Sequence, residues 1–465
     1  MADYASCDFE YHVILFPFMS KGHTIPILQL ARLLLRRRIA VTIFTTPANH
    51  PFIGKSLTAT TAARIIVLHF PHNVPGIPCG IESTDKLPSM SLFPSFALST
   101  KLLQPDFERA LETLQHVNFM VSDGFLWWTL ESAMKFRFPR LVFYGMNNYS
   151  VCLSRAVRED GILFGPESSD DEMIAVTRFP WIKVTRSNFE QPFADAEPKA
   201  YFEFIEEAVA ASKRSYGYII NSFYELEPVF VDFFNIQNGP KAWCVGPLCL
   251  AEPLKSTETS PHEKPTWIQW LDKKLEQERS VLYVAFGTQG EISSDQLREI
   301  AIGLENSKAN FFWVMRNKKS EELGNGFEER VQDRGIVIRD WVDQREILEH
   351  QSVQGFLSHC GWNSVLDSIC AGVPILAWPM MAEQPLNARM VVEEIKVGLR
   401  VETCRGFVKG EELAKTVREL IEGERGKEVM KKVKEYAEKA RKAVEEGTGS
   451  SWQTLDILID ETCRK

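Results

Sequence analysis

The sequence predicts an α/β protein built from two doubly wound parallel sheets. Three observations carry that prediction. A strand–helix–strand alternation opens at His12, the same alternation starts afresh at Val281, and a polar, proline-containing stretch from Cys249 to Pro265 separates them. At 465 residues the chain is long enough for two full-sized cores.

His12 to Phe16 is an apolar run of the length of a strand buried on both faces. Ile27, Leu30, Ala31, Leu34 and Leu35 then recur at helical spacing. A helix start near Thr24 puts Pro26 in its first turn and Arg36, Arg37 and Arg38 in its last, as helix-end chemistry favours. Ala40 to Thr45 is the next strand. Val117 to Val121 is a third and runs into Ser122-Asp123-Gly124; Arg140 to Tyr144 is a fourth. Two long insertions, Pro71 to Pro94 and Asp160 to Pro198, show no periodicity and read as functional loops or disorder.

Val281 to Gly287 opens the second sheet, and Ser293-x-x-Gln296 reads as a capping box for the helix after it. Phe311 to Met315 and Gly335 to Trp341 continue the alternation. Gln354 to Leu357 is an apolar strand ending in Ser358-His359-Cys360-Gly361. A helix begins near Trp362-Asn363-Ser364 and stops at Gly372, and Val373 to Trp378 is the strand that follows. Val429, Val433, Tyr436, Ala437, Ala440 and Val444 share one helical face. Trp452, Leu455 and Ile459 form a stripe on a last short helix, and such a stripe needs a docking surface. The expected division is residues 1–245, a linker at 246–265, a second domain at 266–447, and a helix at 448–465 that docks back on the first domain.

A formal charge of −9 argues against nucleic acid or an anionic membrane as partner. Nine cysteines without a C-x-x-C pair read as reduced thiols. The segment Met1–Glu10 is acidic and lacks a basic n-region, so it does not read as a signal peptide. No apolar run approaches the roughly 20 residues that span a bilayer. A cytoplasmic monomer with no membrane span is expected. A helix start leaves backbone N–H groups without partners inside the helix, and its dipole adds positive potential, so a diphosphate is the expected ligand at the helix beginning near Trp362.

The stretch from Trp341 to Gln384 resembles the signature box of the plant family-1 UDP-glycosyltransferases. Trp341, Gln344, His359-Cys360-Gly361-Trp362-Asn363-Ser364, Pro374, Trp378-Pro379 and Gln384 fall at that family's spacing. The Gly22-His23 loop, the segments beginning at Ser122 and Ile220, and Trp243 to Leu248 extend the likeness over nearly the whole chain. The resemblance implies a GT-B fold, two Rossmann-like domains facing across a cleft. The first would bind an acceptor and the second a UDP-sugar. It implies that Trp341 stacks on uracil, that Gln344 contacts base and ribose, and that Thr288, His359, Trp362, Asn363 and Ser364 hold the diphosphate. Asp367 stands where a Glu usually accepts the ribose hydroxyls. Trp378, Glu383 and Gln384 would read the sugar.

His23 and Asp123 follow the first and third strands, at the carboxyl edge where doubly wound sheets bind ligands. Alone they read as a loop histidine and an Asp-Gly turn. The resemblance makes them the catalytic pair, an imidazole base on an acceptor hydroxyl oriented by a carboxylate. Of Phe125, Trp127, Trp128, Met146 and Tyr149, most are expected to be helix packing and one or two to line an acceptor pocket.

Besides Asp367, three departures bear on the site. Asp343 stands where the family often has Pro, which is expected to loosen the turn before Gln344. Glu383 replaces a commoner Asp, and Thr288 a commoner Ser. The expected reaction is inverting transfer, with no cofactor and no metal, of a sugar from a UDP-sugar to a hydroxyl of a small lipophilic metabolite such as a flavonoid or phenylpropanoid. Within the family that the sequence resembles, Gln384 at the end of the box favours glucose. The alternatives are another donor sugar, addition to an existing glycoside, and, more distantly, a nucleotide-sugar epimerase.

Overall fold

The computed structural model describes residues 9–57, 63–161, 172–189, 198–236, 239–251, 264–287, 290, 292–315, 323–324, 326–403 and 406–463. Thr288 and most of the expected linker lie outside them. The chain forms two compact units, one of residues 1–152, 191–252 and 442–465, the other of residues 153–190 and 253–441.

Fifteen strands are present among the described residues. The first five are β1 (Tyr11–Phe16), β2 (Ile39–Thr45), β3 (Ala63–Val67), β4 (Phe119–Asp123) and β5 (Arg140–Phe143). A hairpin of β6 (Ile174–Val176) and β7 (Phe179–Val184) belongs to the second unit, and β8 (Gly217–Ile220) and β9 (Lys241–Cys244) complete the first. The sheet of the first unit runs β3-β2-β1-β4-β5-β8-β9 with every pair parallel. Alternate residues feed two cores: Val13, Leu15, Val41 and Val121 enter one, and Ile14, Phe16, Phe44 and Met120 the other. Burial on both faces is why these strands read as unbroken apolar runs. Strand order reverses between β1 and β4, which opens a crevice at their carboxyl ends.

The helix after β1 spans Lys21–Arg36, with extended Ser20 as its N-cap. It starts earlier than expected, so His23 lies in its first turn and Pro26 inside the helix. Pro26 has no N–H to give the Gly22 carbonyl, but it is buried among apolar neighbours, and packing outweighs the lost bond. The insertion at 71–94 is also more ordered than its composition suggests. Val74, Ile77 and Phe93 are buried anchors, and Thr84 N–H bonds to the Met19 carbonyl at 2.9 Å. The last helix, Ser450–Cys463, inserts Leu455, Leu458 and Ile459 into the core beside β1 and β2, while Trp452 carries the Arg37 guanidinium 3.5 Å above its ring.

The second unit holds β10 (Val281–Ala285), β11 (Asn310–Val314), β12 (Gly335–Ile338), β13 (Val353–Ser358), β14 (Ile375–Ala377) and β15 (Gly398–Arg400). They form an all-parallel sheet in the order β12-β11-β10-β13-β14-β15, with its reversal between β10 and β13. The expected capping box is half formed. Ser293 accepts the Gln296 N–H, but the Gln296 side chain turns away to pair with both backbone groups of Val408, at 2.8 and 2.9 Å. No helix among the described residues is long and apolar enough to cross a membrane.

Candidate active site

At the reversal point of the first sheet, His23 Nδ1 lies 2.6 Å from Asp123 Oδ2. One residue comes from the helix turn after β1 and the other is the last of β4, so parallel pairing of neighbouring strands brings them together. Asp123 is fully buried, while the His23 side chain keeps 19% of its surface exposed. Asp123 Oδ1 accepts the Phe125 N–H at 3.0 Å, closing a turn over Gly124. Gly124 is needed there, because a Cβ would lie 2.2 Å from the Tyr144 ring. Below the pair sits Arg140, the buried first residue of β5, which sequence patterning did not single out.

Aromatic rings flank the histidine. The Phe125 ring lies 5.1 Å from the imidazole and Phe18 6.0 Å from it. Phe125 in turn meets Phe18, Phe93, Tyr144 and Phe204 at 5.3 to 5.8 Å. Of the five residues named from sequence, Phe125 lies against the imidazole in this wall. Trp128 is fully buried with its indole N–H on Thr100, Tyr149 packs on Phe230, and Trp127 is a core residue beside Phe204. Phe18, Phe93 and Phe204 come from separate elements, and no local pattern marks them.

The second sheet repeats the plan. His359 follows β13 and stands against the turn after β10. A Cβ on either Gly287 or Gly361 would lie 2.6 Å from His359 Nε2, so two glycines make the slot for this imidazole. Gly287 and Cys360 both have left-handed backbones, with φ of 73° and 63°. A non-glycine residue held there is a strained turn of the kind found at ligand sites. The helix Trp362–Ala371 starts at Gly361, an N-cap residue that has no side chain to cap it. The Trp362 indole is buried, so what this residue can offer a ligand is its backbone. Gly372 ends the helix at φ 71°, as expected.

Gln344 Nε2 reaches Ser364 Oγ at 3.1 Å and Asp367 Oδ2 at 2.8 Å, so three of the expected donor residues form one connected group. Asn363 is half-buried beside them on the same helix turn. Trp341 exposes 67% of its surface, an indole face open to a planar ligand. Asp343 does not loosen its turn. Its carboxylate accepts the Arg345 N–H at 3.0 Å and caps the short helix Gln344–Leu348. Burial, with Asp343 nearby as a lesser cause, holds the Glu346 carboxyl above its ordinary range.

Gln384 is buried, and its Oε1 accepts the N–H groups of Met380 and Met381, each at 3.0 Å. That leaves its amide NH2 as the end able to donate. Ala382, just before Glu383, is left-handed at φ 54°, so the turn presenting Glu383 and Gln384 is itself strained. Glu383 is half-buried at the start of the helix Gln384–Arg389. Asn387 ties that helix to the Cys360 carbonyl at 2.9 Å. The Trp378 indole is 4% exposed and packs edge-on against Phe286, so this side chain supports the loop from the core.

Two Rossmann-like sheets, each with polar groups gathered at its reversal point, define a GT-B glycosyltransferase. Residues 255–439 match the UDP-glucoronosyl and UDP-glucosyl transferase family. UDP-glycosyltransferase 90A1 of Arabidopsis thaliana is 56% identical, covering 98% of this chain and 97% of its own. UDP-glucose flavonoid 3-O-glucosyltransferase 7 of Fragaria ananassa is 35% identical, covering 98% and 96%. The solved structure of Phytolacca americana UGT2 complexed with UDP-2fluoro-glucose and pterostilbene superposes with a TM-score of 0.82 at 27% identity, covering 98% of this chain and 100% of that one. The chain belongs to the UDP-glycosyltransferase family and is a glycosyltransferase, which sets the epimerase reading aside.

Proposed function

We propose that this protein transfers glucose from UDP-glucose to a hydroxyl of a small phenolic metabolite, with inversion and without a metal. The observation that carries the reading is the 2.6 Å contact between His23 and Asp123 at the sheet reversal. With Nδ1 committed to the buried carboxylate, Nε2 takes the proton of the acceptor hydroxyl. The acceptor oxygen attacks the anomeric carbon, the bond from that carbon to the phosphate oxygen breaks, and UDP leaves with the electron pair. Asp123 stabilises the imidazolium that forms. The aromatic wall of Phe18, Phe93 and Phe125 suits a flat apolar acceptor.

In the second unit, Trp341 stacks on the base and Gln344 with Asp367 addresses the ribose. His359, Asn363 and the helix-start N–H groups at Trp362 and Ser364 meet the diphosphate. Glu383 accepts from one sugar hydroxyl and Gln384 donates to its neighbour. Glucose as donor and phenols as acceptors are supported by relatives named as a flavonoid 3-O-glucosyltransferase and a scopoletin glucosyltransferase, and by the neighbour holding UDP-2fluoro-glucose with pterostilbene.

His23→Ala tests the reading. Transfer should fall by roughly a hundredfold or more, the scale of a lost general base, while UDP binding by calorimetry stays unchanged. Near-normal turnover in that variant would remove the dyad assignment. A screen of UDP release across donors and phenolic acceptors identifies both substrates.

A further inference from the structure

We propose that Arg140 is a positioning residue for the His23–Asp123 pair, placing a positive charge beside the buried Asp123 and fixing the turn that carries it. The inference rests on the reading of that pair given above.

Arg140 is 1% exposed, yet no carboxylate contacts it. Nε donates to Ser122 Oγ at 2.7 Å and Thr129 Oγ1 at 2.9 Å, Nη1 to Ser215 Oγ at 2.8 Å, and Nη2 to the Asp123 and Leu126 carbonyls at 3.2 and 3.4 Å. All five acceptors are neutral. A buried cation with only neutral contacts is costly, so something nearby must compensate for its charge. The ionisable groups acting on it are Tyr144, Asp123 and Tyr218. Tyrosines are neutral near pH 7, which leaves Asp123 as the opposite charge. Burial pushes the guanidinium down to about 10, still charged at neutral pH.

The need is mutual. Asp123 is fully buried and receives one backbone N–H and the His23 ring, thin support for a carboxylate out of water. The guanidinium that donates to the Asp123 carbonyl supplies a positive charge beside it. The same fork grips the carbonyls of Asp123 and Leu126 and the hydroxyl of Thr129, so it also sets where the carboxylate points.

A cation beside the pair disfavours taking up a proton, whichever member receives it. Its removal therefore moves the acid limb of kcat/KM to higher pH, by about one unit on the scale of a lost neighbouring charge. Arg140→Gln and Arg140→Met remove the charge, and Arg140→Lys keeps it without the fork. Folding is checked by circular dichroism and cooperative thermal unfolding. The acid limb should rise in whichever neutral variant folds and stay in place in Arg140→Lys, which loses turnover and stability only. An unmoved limb in a folded neutral variant overturns the proposal, as does an equal rise in the lysine variant. If neither neutral variant folds, the lysine variant decides alone: an unmoved limb with lowered turnover supports the proposal, and a raised limb or unchanged turnover overturns it. His23→Ala, run alongside, separates the failures. Retained turnover there removes the pair itself, whereas lost turnover there with an unmoved limb removes only Arg140.

Discussion

His359 shows what a single residue requires of its neighbours. Its imidazole occupies the space that a side chain at Gly287 or Gly361 would fill. Gly361 has an ordinary backbone, φ −57°, so alanine there strains nothing except the imidazole. Gly361→Ala should therefore fold and weaken UDP binding by about tenfold or more, the cost of one hydrogen bond to a charged group, as read by calorimetry. Gln384 gives a second residue-scale prediction. Gln384→Glu keeps an acceptor for the Met380 and Met381 N–H groups but loses the amide donor. UDP affinity should hold while turnover of the UDP-sugar falls roughly tenfold or more. His359 and Gln384 were legible in the sequence because their spacing within one strand–helix–strand passage is local. The glycine slot was not, because Gly287 lies in the turn after another strand, β10.

Short elements carry their own chemistry. Asp343 caps Gln344–Leu348, and Asp343→Ala should cost about 1 kcal/mol in urea denaturation, the usual worth of such a cap. Asp343→Pro, at a position with φ −75°, should fold with the backbone unchanged, since that angle suits the ring. Glu227 is a buried cap of a different kind. Its two oxygens receive the Asn148 and Tyr149 N–H groups at 3.0 and 2.9 Å, at the start of the helix Asn148–Glu159. Burial lifts its carboxyl above the ordinary 4.5. The native state then holds that proton more tightly than the unfolded chain. Stability from this group is full below about 4.5 and is lost as pH rises through the raised value. Against Glu227→Gln, which does not titrate, the wild type should lose ground across that window in denaturation measured at several pH values. The strands read from the sequence, such as β1, β2, β4, β5, β10 and β13, are apolar runs, whereas β3, β6 to β9 and β15 were not read. The start of the helix Lys21–Arg36 was misplaced because Pro26 signals a first turn by propensity, while packing carries the helix past it.

At the scale of the molecule, the terminal helix completes the core of the first unit. Leu458 is fully buried there, and Leu458→Ala should cost about 2–5 kcal/mol, seen as a lower unfolding midpoint. Turnover in excess EDTA should match turnover without it if backbone N–H groups alone meet the phosphate charge. By itself the sequence determined two parallel sheets, a nucleotide-sugar passage from Trp341 to Gln384, and a histidine and an aspartate at strand ends. Each of these is written in short-range spacing. The tertiary structure decided that His23 and Asp123 touch, that Arg140 lies beneath them, and that Phe18, Phe93 and Phe204 gather around Phe125. It also decided that residues 442–465 join the first unit and 153–190 the second. Those outcomes depend on the pairing of strands far apart in the chain and on burial on both faces of a sheet, and no local pattern encodes either.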